Sequence, residues 1–307
     1  MKIHNILCPT DCSEFAGRAL EHAVMLARWY GAELTVAHVY PFMAALGGDA
    51  PYFPSGLPLD ASMRARLLGD LEAAAEPARA AGVKSNLLLL EGDPSEEILR
   101  RTRTAPTDLI VMGTHGRRGF DRWVLGSVAG RVVHKALCAV LTVPQPPEGT
   151  RPAAVPPYEK VLCPVDLTCS EPILDAAFSI AAVSKARLTV FHVLEDLPQH
   201  EAAARMAHIA WGDFLERLEQ DARYQLRQAV ANHGADGGTV DELVVSGKPY
   251  REILKAADAT GVSLIVMGIH GQNPLERMFF GSTTLHVLRQ ARSPVLTVRA
   301  PDERSQG

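Results

Sequence analysis

The chain repeats itself in a fixed register. Cys8-Pro9-Thr10-Asp11 recurs as Cys163-Pro164-Val165-Asp166, and Glu91-Gly92-Asp93-Pro94 recurs as Ser246-Gly247-Lys248-Pro249. Glu97-Ile98-Leu99 recurs as Glu252-Ile253-Leu254. Leu109-Ile110-Val111-Met112-Gly113-Thr114-His115-Gly116 recurs as Leu264-Ile265-Val266-Met267-Gly268-Ile269-His270-Gly271. Gly126-Ser127 returns as Gly281-Ser282, and Val140-Leu141-Thr142-Val143 as Val295-Leu296-Thr297-Val298. All six pairs share one offset of 155 residues, as between Cys8 and Cys163; Ala37-His38-Val39 and Phe191-His192-Val193 differ by 154. A register this constant means a duplicated domain with few net insertions. Whatever one half folds into, the other folds into as well, and 307 residues is about twice an ordinary domain. Residues 144–157 hold prolines at a density that disfavours helices and strand ladders and favours an extended spacer. The expected division is a first domain at 1–146, a linker at 147–157, a second domain at 158–300 and a tail at 301–307.

Within the first half, short apolar runs alternate with helical patterns. Strands are expected at residues 3–8, 33–39, 85–90, 109–112 and 139–143. A helix over 14–30 is capped by Ser13 and closed by Gly31. Further helices are expected over 59–81, ending at Gly82, over 95–103 and over 127–136. Such alternation predicts a parallel sheet with right-handed crossovers, its strands covered on both faces and therefore almost continuously apolar. The fold class is α/β: two tandem, doubly wound, five-stranded parallel sheets. In the second half, residues 201–233 form one long helical pattern, with Trp211, Phe214, Leu215 and Leu218 at core spacing. Residues 41–58, with Phe42, Tyr52 and Phe53, fit a lid, an interface patch or plain loop packing.

Composition excludes several classes. At 47% hydrophobic and 21% charged, the chain carries enough apolar material for two cores. A net charge of −4 gives no broad attraction to nucleic acid or to an anionic membrane, leaving Arg117, Arg118 and Arg122 as a local basic cluster. The five cysteines, Cys8, Cys12, Cys138, Cys163 and Cys169, form no CxxC pair, which argues for reduced thiols rather than a disulfide framework or a zinc knuckle. The N-terminus has no long apolar core and no run approaches the ~20 apolar residues of a membrane span, so a cytoplasmic location is expected.

Ligands of doubly wound sheets bind at the carboxyl ends of strands where the strand order reverses. The unusual residues sit there. Gly113 ends a strand without a side chain and lets a ribose approach the backbone. Gly116 lets the next loop curl. Nine residues later, Gly126 and Ser127 bring free amides, a hydroxyl and a helix N-terminus together, a ready phosphate site. Asp11 can accept hydrogen bonds from an adenosine, and Arg117 and Arg118 can neutralise phosphate.

With these motifs the chain resembles the universal stress protein family in its tandem two-domain form, over nearly its whole length. That family carries Gly-x-x-Gly, nine residues, then Gly-Ser or Gly-Thr as an ATP-binding signature, and both halves match the spacing. The resemblance implies a Rossmann-like, adenine-nucleotide α-hydrolase-like fold, ATP (with magnesium as its companion) in the crevice, dimer-like pairing of the two domains or of two chains, and a role in stress survival. Carried over, Pro9, Thr10 and Asp11 match the turn near adenosine. Val39 matches the residue whose backbone meets adenine. Met112 and Gly113 match the strand-four end, Gly116 and Arg117 the loop over the phosphates, and Gly126, Ser127 and Val128 the helix start. In the second half the equivalents are Pro164, Val165, Asp166, Val193, Met267, Gly268, Gly271, Gly281, Ser282 and Thr283.

The two copies differ after the second glycine. Arg117-Arg118-Gly119 becomes Gln272-Asn273-Pro274, which removes two positive charges and an amide. Tighter ATP binding is expected in the first half.

Other chemistries are poorly served. No Walker A pattern occurs, and Gly113, Gly116 and Gly119 have the wrong spacing and place for a dinucleotide fingerprint. Pro9-Thr10-Asp11 stands where ATP-pyrophosphatase relatives carry a Ser-Gly-Gly loop. His115 and His270 have no visible partner for acid–base work, His38 and His192 read as structural strand residues, and Ala204 breaks a helical metal site that His200, Glu201 and His208 would otherwise suggest. Three functions are compatible with the residues: a nucleotide-dependent stress-response regulator, a slow ATPase or an autophosphorylating enzyme using Ser127 or Ser282, and an interaction scaffold with incidental nucleotide.

Overall fold

A computed structural model describes residues 1–40, 61–114, 125–145, 157–167, 170–195, 210–233, 240–269 and 281–299. The chain divides into two compact units, Lys2–Val155 and Pro156–Gly307. The first holds β1 (Asn5–Pro9), α1 (Glu14–Tyr30), β2 (Glu33–Tyr40), α2 (Ala61–Ala74), α3 (Glu76–Ala80), β3 (Ser85–Glu91), α4 (Pro94–Thr104), β4 (Leu109–Gly113), α5 (Ser127–Lys135) and β5 (Ala139–Val143). Its strands lie in the order β3-β2-β1-β4-β5, each paired in parallel with its neighbour. The second unit holds β6 (Lys160–Pro164), α6 (Glu171–Ser184), β7 (Arg187–Leu194), α7 (Trp211–Ala231), β8 (Val240–Ser246), α8 (Pro249–Thr260), β9 (Leu264–Gly268), α9 (Ser282–Gln290) and β10 (Val295–Val298). Its order, β8-β7-β6-β9-β10, repeats the first, again in parallel. The central strands are buried on both faces, so Leu109, Ile110 and Val111 of β4 and Leu264, Ile265 and Val266 of β9 are all at most 1% exposed.

Local chemistry sets many boundaries. The Ser13 side chain accepts a hydrogen bond from the Ala16 amide, and Gly31 closes α1 in the left-handed conformation at φ +63°. In the second unit Lys185 closes α6 in that conformation without a glycine. Gly92 and Gly247 are required where they stand. Their φ values are +141° and +148°, and a Cβ on either would lie 3.0 Å from the Cγ of Glu97 or Glu252.

Two helical expectations need correction. The stretch 59–81 is not one helix among its described residues: α2 stops at Ala74 and α3 restarts at Glu76. Pro77 supplies the reason, since it has no amide for the continuing ladder and its ring obstructs the preceding turn. In α7 the buried residues are Ala222 and Leu226, one turn apart. Leu215 is 36% exposed, and Trp211 and Phe214 stack on each other at 5.8 Å while only half-buried. The described helix packs on β7 and β8 through its later turns; residues 196–209, with His200 and His208, lie outside the described residues, as does the segment 41–60.

One core residue makes the first unit acid-sensitive. His22 of α1 is 4% exposed, and burial, reinforced by nearby Arg18, lowers its pKa to about 3. The unfolded ring titrates near 6.5, so the unfolded chain takes up the proton first. Stability is therefore full above that pH and lost as pH falls from about 6.5 toward 3. Between pH 7 and pH 5 the linkage removes about 2 kcal/mol from the first unit. Denaturant unfolding at the two pH values measures it. His22→Leu is expected to flatten this dependence; an unchanged slope would assign the acid sensitivity elsewhere.

Candidate functional site

The crevice begins where β1 and β4 part. Their pairing runs only through Ile6↔Leu109 and Leu7↔Ile110, although the strands continue to Pro9 and Gly113. The same holds for Val161↔Leu264 and Leu162↔Ile265, short of Pro164 and Gly268. From this point β1 leads toward β2 and β4 toward β5, on opposite sides. It is the topological switch point, and it faces the carboxyl ends of the strands.

The turn after β1 is tightly built. Pro9 is half-buried and Thr10 is buried; the Thr10 amide donates to Ala37 O at 2.8 Å, and its hydroxyl accepts from the Cys12 amide at 3.0 Å. His38 Nδ1 lies 2.8 Å from Thr10 O, and because a carbonyl only accepts, Nδ1 carries the proton. Cys12 sits at φ +60°, a left-handed conformation costing a non-glycine residue about 1–2 kcal/mol. Asp11 Oδ1 accepts from the Ser13 amide at 3.0 Å and from its hydroxyl at 2.6 Å. One oxygen of the carboxylate expected to face an adenosine is therefore engaged in shaping the turn into α1. The second unit copies the frame. Pro164 and Val165 are buried, the Val165 amide donates to Phe191 O at 2.9 Å, and His192 Nδ1 donates to Val165 O at 2.8 Å. Asp166 is half-buried and Leu167 takes φ +68°.

Across the crevice, the helix start is stitched to the strand end. Thr114 N donates to Val143 O at 3.0 Å, and Gly126 N donates to Thr114 O at 2.8 Å. Ile269 N to Val298 O (3.2 Å) and Gly281 N to Ile269 O (3.4 Å) repeat both bonds. Thr284 adds a hydroxyl bond to Gly268 O at 2.8 Å. The stitches place the N-termini of α5 and α9 beside β4 and β9. Neither Gly126 nor Gly281 offers a side-chain acceptor, so the first-turn amides lack the usual cap and can serve a phosphate instead. Ser127 and Ser282 are exposed, Val128 and Thr283 half-buried. Met112 and Met267 are buried at the ends of β4 and β9. Gly113 and Gly268 are half-buried, and a Cβ on Gly268 would lie 2.8 Å from Ile173 Cδ1. Val39 and Val193 pair with Leu90 and Val245 and are half-buried near the carboxyl ends of β2 and β7. Gly116, Arg117 and Gly271, with Arg118, His115 and His270, lie outside the described residues.

The rims differ. In the first unit Asp93 caps α4 by accepting from the Glu96 amide at 3.0 Å, and the Ser95 hydroxyl leads the contacts holding its carboxyl below the usual range. Arg131 of α5 lies 3.7 Å from Asp93 and 3.4 Å from Ser95 Oγ. Lys248, Tyr250 and His286 stand at the equivalent places, and the two rings stack at 4.3 Å. Repeat matching places these residues but gives no sign of the switch from an ion pair to an aromatic pair. Chemically, each crevice offers amides, backbone carbonyls and hydroxyls. Burial pushes the thiols of Cys8 and Cys138 up to about 12 and about 11 and raises that of Cys163 as well, so none of these three adds a nucleophile. Among the described residues no group of three or more His, Cys, Asp or Glu is placed to hold a metal, and no helix is long and apolar enough to cross a membrane.

The profile of the universal stress protein family matches residues 2–144 and again 157–299. The chain belongs to the universal stress protein family. A universal stress protein of Methanocaldococcus jannaschii is 36% identical over 151 residues, covering 46% of this chain and 82% of its own. One from Mycobacterium tuberculosis is 29% identical over 196 residues, or 62% of each chain. The crystal structure of a universal stress protein from Archaeoglobus fulgidus superposes with a TM-score of 0.68, covering 98% of this chain and 100% of that one; at 22% identity it speaks to the fold. Two family domains in one chain are what the 155-residue register requires.

Proposed function

We propose that this universal stress protein binds ATP in both crevices and acts as a nucleotide-dependent regulator in a stress response. The observation that carries the reading is the duplicated pair of uncapped helix starts at Gly126 and Gly281, each bonded to the residue after the fourth strand of its unit. An adenine nucleotide fits the residues present. The amides of Ser127 and Val128, and of Ser282 and Thr283, suit phosphate oxygens. Gly113 brings no side chain to the first crevice and leaves room for a ribose, whereas at Gly268 the place of a Cβ is taken by Ile173. Asp11 and Asp166 lie at the turns where an adenosine would rest. Magnesium accompanies ATP in this reading, and the setting is cytoplasmic. Hydrolysis is slow, because no described residue is placed as a dedicated base.

Purified protein is denatured and the released small molecules are separated by chromatography. An adenine nucleotide is expected in the eluate. Finding none, together with no binding of added ATP at about millimolar concentration, an affinity weaker than any useful for signalling, would remove the reading.

A further inference from the structure

We propose that His38 and His192 are positioning residues of the two nucleotide crevices, each holding by its ring the turn that carries the crevice aspartate. Both backbone polar groups of Thr10 are committed to β2: its amide to Ala37 O and its carbonyl to the His38 ring. The side chain thus extends the β1–β2 pairing one residue past the end of the strand. The chain then reverses through a left-handed Cys12, and Ser13 meets Asp11 Oδ1. A left-handed cysteine or leucine persists only where its neighbours are fixed on both sides. The histidine fixes one side and the aspartate–serine contact the other.

The second unit provides an independent instance. His192 makes the same 2.8 Å bond to Val165 O, and Leu167 takes the same conformation as Cys12. Threonine has become valine at the clamped position, so the hydroxyl of Thr10 does not cause the geometry. The surroundings differ too: Cys12 Sγ lies 4.0 Å from His38 Nδ1, and leucine stands at the matching place in the second unit. What the copies share is a ring N–H donating to the carbonyl just before the aspartate. The consequence for ligand is direct. Loosening that carbonyl frees the turn, and the aspartate loses its fixed place opposite the helix start.

The binding half of the test rests on the ATP reading above; the exchange half does not. His38→Leu removes the donor. His38→Asn keeps one, because the amide nitrogen of Asn occupies nearly the place of Nδ1. Both are made in the full chain. Hydrogen exchange of the Ser13 amide, ATP affinity at the first crevice and the melting temperature are measured. His38→Leu is expected to speed Ser13 exchange and to weaken ATP by about tenfold each, the scale of one lost hydrogen bond. His38→Asn is expected to restore both to within about threefold. If the leucine variant does not fold, His38→Met, which likewise has no N–H donor, takes its place with the same expected losses. Unchanged Ser13 exchange in the donor-free variant would overturn the proposal. So would equal losses in the asparagine and donor-free variants in step with melting, which mark plain packing. If wild-type protein binds no ATP, the nucleotide reading fails while the exchange comparison still decides the clamp.

Discussion

Gly126→Asp is expected to abolish ATP binding at the first crevice while leaving the domain at least as stable. Gly126 sits at φ −55° and ψ 148°, which any residue adopts. Aspartate is among the best N-cap residues, so its carboxylate would satisfy first-turn amides of α5 and add a few tenths of a kcal/mol (roughly 0.3) over glycine. The same carboxylate would fill the place meant for a phosphate and repel it. Loss of two charge-assisted bonds at roughly 1.5 kcal/mol or more each predicts at least about a hundredfold weaker binding. Gly281→Asp should do the same to the second crevice. Calorimetric titration of each variant, with denaturant unfolding beside it, separates the effects. Retained affinity in Gly126→Asp would mean that α5 does not hold the phosphates; lost affinity with lost stability would mean that the substitution merely damaged the fold.

The two crevices are expected to differ in affinity by at least tenfold, the first being tighter. Arg117 and Arg118 follow the second glycine of the first copy, where the second copy has Gln272, Asn273 and Pro274. Each charge-assisted contact to phosphate is worth roughly 1.5–3 kcal/mol, so losing one already exceeds a factor of ten. Gly281→Asp should therefore leave the tight phase of the titration intact and Gly126→Asp should remove it. Arg117→Ala with Arg118→Ala should reduce the first crevice to the level of the second, and should flatten the salt dependence of binding. Equal sites in the intact chain, or a tight phase that survives the arginine substitutions, would sink the charge argument. The rims add a further difference. Asp93 and Arg131 pair across the first rim, whereas Tyr250 and His286 stack at the second.

Much of the fold was legible because its signals are local or repeated. Ser13 and Gly31 bound α1 where capping chemistry places its ends. The apolar runs 109–112 and 264–267 mark strands buried on both faces, and the glycine spacing marks the switch point. What was hidden depends on distant partners. Pro77 was visible, yet a long Ala-, Leu- and Arg-rich stretch still reads as a single helix across it. The exposure of Leu215 follows from where α7 meets the sheet, which periodicity does not state. Cys12 and Leu167 carry none of the usual signs of a left-handed residue; a histidine bond to the carbonyl of Thr10, 28 residues before His38, or of Val165, 27 residues before His192, helps to hold them there. The sequence places Asp11 just after β1, but its bonds to Ser13 within the turn depend on a backbone conformation that sequence does not announce.

The central claim is that phosphate binds at the starts of α5 and α9. Site-resolved amide NMR of the intact chain during an ATP titration tests it most directly. The account predicts that Ser127 and Val128 shift and saturate first, followed at higher ATP by Ser282 and Thr283. Saturable shifts elsewhere, with these four amides unmoved, would contradict it.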